Sequence, residues 1–120
     1  MKPPASSGKG GGAGAPTATG GRGPQDPGAR QGSIALHVTV SGHVQGVFFR
    51  DTCARRARAE GVAGWVRNRA DGRVEVWFEG HPQAVENMLI WCREGPPQAE
   101  VTGVAVSDVE PASLDAFRIE

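Results

Sequence analysis

Large aliphatic and aromatic residues are missing from one end of this 120-residue chain and then begin abruptly. Between Met1 and Ser33 there is no Leu, Ile, Val or Phe, and Gly, Pro, Ala, Ser and Thr dominate without a repeat. Such a composition cannot bury enough apolar surface to offset the entropy lost on ordering. The sequence therefore predicts a disordered tail over residues 1–32 and one folded domain over residues 33–120.

The charge distribution argues against partners that bind through an extended basic surface. The formal net charge is zero, and residues 1–32 hold four basic residues against one acidic residue, so the tail is near +3 and the rest near −3. A domain without a basic excess has no general field for nucleic acid or an anionic membrane, and we expect neither partner. No apolar run approaches the roughly 20 residues of a spanning helix. The apolar segment of an export signal is also missing, which favours a cytoplasmic protein, and we expect a monomer.

Hydrophobic periodicity predicts the order of the elements. Ile34, Leu36, Val38 and Val40 alternate with polar or small residues, which is the period of a strand with one buried face. The predicted elements are a strand from Ile34 to Ser41, a loop from Gly42 to Phe49, a helix from Arg50 to Glu60 capped by Gly61, strands at 62–69 and 73–79 around an Asp71–Gly72 turn, a helix from Pro82 to the stop at Gly95, and strands at 101–109 and 114–119.

The order β, α, β, β, α, β with a short terminal strand defines the fold class. It predicts an α+β, ferredoxin-like split βαβ sandwich in which two helices cover one face of an antiparallel sheet. Cys53 and Cys92 both fall in predicted helices without metal-ligand spacing, so we expect reduced, structural thiols, with a disulfide as the alternative.

The segment from Gly42 to Arg50, Gly-His-Val-Gln-Gly-Val-Phe-Phe-Arg, joins the first strand to the first helix. Its backbone amides can turn towards one point, where the unpaired amides and dipole of a helix N terminus already favour an anion. Gly42 and Gly46 permit the backbone conformations that this requires, and Arg50 offers a planar fork for two phosphate oxygens. The segment suits a phosphate, although a plain connection with a solvated arginine is an alternative interpretation.

A second segment, from Gly64 to Glu75, runs from the second predicted strand into the hairpin. It contains Asn68, whose side chain could simply hydrogen-bond its own backbone near the turn, as asparagine often does. Taken alone, this residue indicates no function.

Together the two segments resemble the two signatures of the acylphosphatase family. Gly42–Arg50 is similar to G-x-V-Q-G-V-x-F-R and Gly64–Glu75 to G-x-V-x-N-x-x-D-G-x-V-E, and both match at every fixed position. The resemblance covers Ile34 to Glu120. It implies an enzyme that hydrolyses acyl phosphates, which are mixed carboxylic-phosphoric anhydrides, to a carboxylate and inorganic phosphate without metal, cofactor or covalent intermediate.

The resemblance also implies the roles of individual residues. Arg50 and the loop amides would bind the phosphoryl group, and Asn68 would orient the attacking water. The implied amides are those of Gln45, Gly46, Val47, Phe48, Phe49 and Arg50. Few groups can suffice because a carboxylate leaves readily and a phosphoryl transition state mainly needs charge stabilisation and in-line positioning. The sequence holds no clear metal-ligand cluster or nucleophile–base pair, so a substrate phosphate oxygen is the hypothetical acceptor of the water's proton.

Two alternatives remain. The same fold can serve as a non-catalytic, anion-binding or regulatory module, although an RNA platform would need more aromatic residues on the central strands than Trp77. An acylphosphatase-like domain that handles carbamoyl phosphate is the second. Such domains normally stand at the front of much longer chains, and on that ground we expect a stand-alone enzyme.

Overall fold

The computed structural model describes residues 32–120, so the predicted tail lies outside the described residues except for Gly32. No helix in the described part has both the length and the apolar character needed to cross a membrane. The elements are β1 (Ile34–His43), α1 (Phe49–Glu60), β2 (Ala63–Asn68), β3 (Val74–Gly80), α2 (Pro82–Glu94), β4 (Glu100–Val109) and β5 (Phe117–Ile119).

The strands form one sheet in the order β4-β1-β3-β2-β5. The β1–β3, β1–β4 and β2–β3 pairs are antiparallel, with Val38 opposite both Val76 of β3 and Val106 of β4. The last strand departs from the expected antiparallel sheet, because β5 pairs parallel with β2. The chain crosses from the β4 edge to the opposite edge before β5 begins, so β5 enters in the direction of β2 and the sheet is mixed.

One apolar core lies between the sheet and both helices. The alternation predicted in β1 is confirmed, because Leu36, Val38 and Val40 are buried in this core. The two helices contribute to the same cluster, which places them on one face of the sheet and confirms the predicted fold class. Their buried residues are Phe49, Cys53, Ala54 and Ala57 on α1, and Val85, Met88, Trp91 and Cys92 on α2.

The helix ends follow the predicted capping. The amide of Gly61, at φ 75°, donates to the carbonyl groups of Ala57 and Arg58 at the end of α1. Pro82 opens α2, and the His81 side chain accepts a hydrogen bond from the Gln83 amide at 3.2 Å.

The terminal strand is shorter than predicted, because residues 114–116 belong to the crossing segment. The carboxylate of Glu79, only 5% exposed, holds that segment. It accepts hydrogen bonds from the amides of Ala112 at 2.8 Å and Leu114 at 3.0 Å, and from Trp77 Nε1 at 3.0 Å. Burial of this polar side chain is tolerated because it is well hydrogen-bonded.

Both thiols are buried and free. Burial, together with the neighbouring Cys92, raises the pKa of the Cys53 thiol well above its usual value. The Cys53 thiol therefore stays protonated and unreactive near neutral pH, which fits a structural role.

Gly64 lies where two strand backbones approach most closely. Its φ is 143°, and a β-carbon at this position would overlap the carbonyl oxygen of Trp77 on β3. Gly42, at φ 122°, is constrained in the same way by the carbonyl oxygen of Glu100 on β4. These two glycines open the two sequence signatures, and both are required by the packing of the sheet.

We expect Gly64→Ala to lower the free energy of unfolding by at least about 3 kcal/mol, because strand displacement adds to backbone strain. Urea unfolding followed by tryptophan fluorescence measures the change. Gly103→Ala is the matched control, since Gly103 also lies in a strand but has no atom within 4 Å of an added β-carbon. Equal stability losses in the two variants would contradict the close-approach explanation.

The sheet face away from the helices carries a charged cluster around Glu75. This carboxylate is 6% exposed and accepts hydrogen bonds from His37 Nε2 and, at 2.9 Å, from Arg67 Nε. Desolvation raises its pKa, but the bonds from His37 and Arg67 outweigh that effect, and the pKa of Glu75 lies below its ordinary value. The ionised form is therefore favoured by folding.

A lowered folded-state pKa contributes stability above the unfolded pKa of about 4.3, and that stability is lost as pH falls through the folded value. We therefore expect Glu75→Gln to reduce the loss of unfolding free energy between neutral pH and pH about 3. Urea unfolding at a series of pH values tests this. Glu86→Gln, which removes an exposed carboxylate from α2, should leave the fall in unfolding free energy at acid pH unchanged. If the unfolding free energy of Glu75→Gln fell as steeply at acid pH as that of the unmodified chain, the lowered pKa of Glu75 would be contradicted.

Candidate active site

The loop between β1 and α1 alternates in backbone handedness. Gly46 has φ 76° and Phe48 has φ 62°, whereas Val47 between them and Phe49 after them do not have positive φ. Successive residues of opposite hand turn their amides to one side and form a concave, anion-binding nest. We call residues 45–50 the anion loop. It ends at the N terminus of α1, where the helix dipole also favours negative charge.

The amides of the anion loop have no acceptor within the described residues. Following the chain from the end of β1, the first backbone amide that donates a hydrogen bond to another residue of 32–120 is that of Thr52. It donates to the Phe48 carbonyl at 3.1 Å. Phe48 occupies the N-cap position without a side-chain capping bond. Several consecutive donors are thus available to one external acceptor group, which is the arrangement that a phosphate requires.

Arg50 lies in the first turn of α1 and is half-buried. Its Nη1 donates to the backbone oxygen of Glu120 at 3.3 Å, and the amide of Glu120 donates in turn to the carbonyl of Val66 in β2 at 2.8 Å. No Asp or Glu side chain within residues 32–120 forms an ion pair with this guanidinium. A cation at a helix N terminus is unfavourable on its own, so the arrangement favours a bound anion.

Asn68 is the last residue of β2 and lies opposite Val74 of β3. Its side chain is exposed, and no hydrogen bond joins it to another described residue. The local backbone contact considered for this residue is therefore not made. The turn that follows is held by Asp71, whose carboxylate accepts from the Arg73 amide at 3.1 Å.

One cavity of about 360 Å³ brings the two sequence segments together. Arg50 and Asn68 both line it, although they belong to different elements. Of the anion loop, Gly46, Phe48 and Phe49 also border the cavity, whereas Gln45 and Val47 do not. Its complete lining is Val44, Gly46, Phe48, Phe49, Arg50, Asp51, Asn68 and Ile119.

Two members of the anion loop support it from outside the cavity. The side-chain amide of Gln45 donates to the carbonyl groups of Arg69 at 2.8 Å and Arg73 at 2.9 Å. These bonds tie the loop to the β2–β3 turn directly after Asn68. Val47 is 5% exposed and packs in the core. The loop and the strand end that carries Asn68 are thus held in one relative position.

Sequence reasoning missed Asp51 and Ile119. Asp51 follows Arg50 in the first turn of α1, and its carboxylate lies 3.8 Å from Arg55. Asp51 directly follows an arginine that the resemblance implies to bind an anion, and this position could have indicated that Asp51 borders the same site. Ile119 reaches the cavity only because β5 pairs with β2, and no local pattern indicates that pairing.

Within residues 32–120 no group of three or more His, Cys, Asp or Glu side chains is arranged to hold a metal ion. The polar groups that border the cavity are a set of backbone donors, the guanidinium of Arg50, the carboxamide of Asn68 and the carboxylate of Asp51. In a two-layer α+β fold, this arrangement is suited to bind a phosphate-like anion at a helix N terminus.

Comparison with known proteins identifies the family. The acylphosphatase family model matches residues 36–119. The chain is 59% identical over 85 residues to the acylphosphatase of Rubrobacter xylanophilus, covering 71% of this chain and 76% of that one. The structure of an acylphosphatase from Coxiella burnetii superimposes with a TM-score of 0.72 and 37% identity, over 75% of this chain and 95% of that one. HypF of T. kodakarensis is similar at 32% identity and a TM-score of 0.63, but over only 12% of its length.

The chain belongs to the acylphosphatase family. It is accordingly a hydrolase of acyl phosphates, and a small-molecule acyl phosphate is its substrate.

Proposed function

We propose that the chain hydrolyses acyl phosphates in the cavity between the anion loop and the end of β2, using the residues that line it. One observation carries this proposal. A nest of backbone amides without acceptors in the described residues, the guanidinium of Arg50 and the carboxamide of Asn68 share one cavity of about 360 Å³.

The anion loop and Arg50 bind the phosphoryl group. Backbone donors and a planar guanidinium can contact its equatorial oxygens together, and those oxygens carry the charge of the transition state. Arg50 is already oriented by its bond to the backbone oxygen of Glu120, so little conformational entropy is lost when the phosphoryl group binds. Preorganised donors of this kind account for much of the catalysis in sites where charge develops on oxygen.

Asn68 orients the attacking water. Its carboxamide has both a donor and an acceptor, and neither bonds to a described residue, so both are available to a water molecule and a substrate oxygen. Among the residues that line the cavity, Asp51 is the one carboxylate, and it lies beside Arg55. We hold that a substrate phosphate oxygen accepts the water's proton, with the carboxylate as leaving group.

The alternatives are less well supported. Relatives named acylphosphatase match over most of their length, whereas the HypF match covers 12% of that protein, so a carbamoyl phosphate-handling domain is not favoured. We propose a cytoplasmic enzyme, because buried free thiols suit a reducing compartment. We further propose that it acts as a monomer, because Asn68 and the anion-loop residues Gly46, Phe48, Phe49 and Arg50 come together at one cavity within a single chain.

The test is hydrolysis of benzoyl phosphate by the full chain, with and without a chelator. We expect benzoate and inorganic phosphate to be released in equal amounts, at a rate that the chelator does not change. Inorganic phosphate should inhibit competitively, because it occupies the anion loop. Absence of hydrolysis would overturn the proposal, and loss of activity with the chelator would overturn its metal independence.

A further inference from the structure

Two large apolar side chains stand exposed at the wall of the proposed catalytic cavity. Phe48 is 72% exposed and Ile119 is 42% exposed, and both line the cavity that contains Arg50 and Asn68. Most large apolar residues of the described chain are buried instead. Apolar surface beside a few convergent polar groups is typical of a small-molecule site, where the polar groups orient the ligand and the apolar wall contacts the rest of it.

The backbone of Phe48 adds a second observation. Its φ of 62° and ψ of 26° place it in the left-handed region, which is costly for a bulky side chain and free of cost for glycine. The ring is largely exposed, so packing against the core does not offset this strain. A strained, exposed aromatic residue at the edge of a site points to a role with a ligand.

The size of the cavity supports the same conclusion. A phosphoryl group with its attacking water comprises about five non-hydrogen atoms, on the order of 150 Å³ if each occupies the roughly 30 Å³ of a water molecule. The cavity of about 360 Å³ is larger than that. The cavity therefore has room for an acyl group of several carbon atoms, and Phe48 and Ile119 are exposed apolar residues of its lining.

We propose that Phe48 and Ile119 form a subsite for the acyl group and that it favours acyl phosphates with apolar, and above all aromatic, acyl groups. The Phe48 ring offers an aromatic face for offset or edge-to-face contact, and Ile119 offers an aliphatic surface. Asp51 adds a carboxylate to the same cavity, which disfavours acyl groups that carry their own anion. This inference rests on the proposed function, because the subsite is defined beside the phosphoryl group in the anion loop.

The experiment compares kcat/KM for benzoyl phosphate with kcat/KM for acetyl phosphate in the full chain and its variants. The ratio is the measurement, because any damage to the phosphoryl site lowers both values alike. Phe48→Asn removes the ring and keeps a residue that tolerates left-handed φ, and Phe48→Leu restores apolar surface. We expect the ratio to fall about tenfold in Phe48→Asn and to recover largely in Phe48→Leu.

Two further variants make the result independent of the loop. Ile119→Thr keeps a β-branched residue in β5 and is expected to lower the ratio as well. Ile90→Ala is the matched control, because Ile90 is a 59% exposed residue of α2 outside the cavity, and its ratio should not change. Inhibition by phenacylphosphonate and acetonylphosphonate, which cannot be hydrolysed, should show the same loss of preference in binding alone.

The outcomes separate the subsite from the reaction. If every variant hydrolyses both substrates with the ratio of the unmodified chain, the subsite is overturned and the proposed function stands. If the unmodified chain hydrolyses neither substrate, both are overturned. A fall in the ratio for Ile90→Ala equal to that for Phe48→Asn would also overturn the subsite, because the preference would then not depend on the cavity wall.

Discussion

Replacing Arg50 by alanine is expected to lower kcat/KM for benzoyl phosphate by a factor of about 10² to 10³, the cost of losing a preorganised donor at a developing charge. The inhibition constant for inorganic phosphate should rise as well, because in the proposed site the guanidinium binds both the phosphoryl group of the substrate and inorganic phosphate. Steady-state kinetics with phosphate as a competitive inhibitor measure the two effects together. Arg50→Lys should recover only part of the loss, since an ammonium cannot take two oxygens in a planar fork.

The control for this experiment is Arg56→Ala. Arg56 is an exposed arginine of the same helix that lies 5.9 Å from the centre of the Trp91 ring and does not line the cavity. Its replacement should leave both constants unchanged. The role of Arg50 would be contradicted if Arg50→Ala bound inorganic phosphate as tightly as the unmodified chain, or if Arg56→Ala lost as much activity.

Local periodicity was sufficient for most of the fold, because β1, β2 and β3 each contribute buried apolar residues to the core that both helices share. Leu36 and Val38 lie in the core as their alternation predicts, and Gly61 ends α1 as its conformational freedom predicts. The parallel β5 could not be predicted in this way. Its position depends on a long crossing segment held by the buried Glu79, and a glutamate in a strand ordinarily indicates an exposed position.

The residues of the candidate site differ in how far the sequence alone could predict them. A strand-to-helix loop with two glycines and Arg50 indicates an anion site on physical grounds, and Gly46 does adopt the positive φ expected of glycine. The left-handed conformation of Phe48 could not be expected, because a phenylalanine disfavours it. Asn68 gives no local signal of function. Its selection depended on the family resemblance, and its role as a water-orienting residue stays a prediction.

The support for the anion loop was also not visible from sequence. The side chain of Gln45 bonds to two carbonyl groups of the β2–β3 turn, a contact between segments 24 and 28 residues apart. Gly42 and Gly64 prove to be sites of close backbone approach. A signature of this kind therefore combines groups available to a ligand with groups that hold two segments together.

Asn68→Ala is expected to reduce kcat by a factor of about 10² or more while the inhibition constant for inorganic phosphate changes little. In the proposed mechanism this side chain holds the water, and it forms no hydrogen bond with the described residues. Its loss should therefore affect the nucleophile and leave the proposed phosphoryl contacts of Arg50 and the amides intact. Pre-steady-state measurement of product release, combined with phosphate inhibition, separates turnover from binding.

Asn87→Ala is the matched control for Asn68. Asn87 is a half-buried asparagine of α2 that bonds to Gln83 and Glu60 outside the cavity, so its replacement should leave kcat unchanged. Thermal or urea unfolding of both variants checks that the fold is retained. If Asn68→Ala weakened phosphate inhibition and left turnover unchanged, Asn68 would be a phosphate ligand, and the water would have to be oriented by another group of the cavity wall.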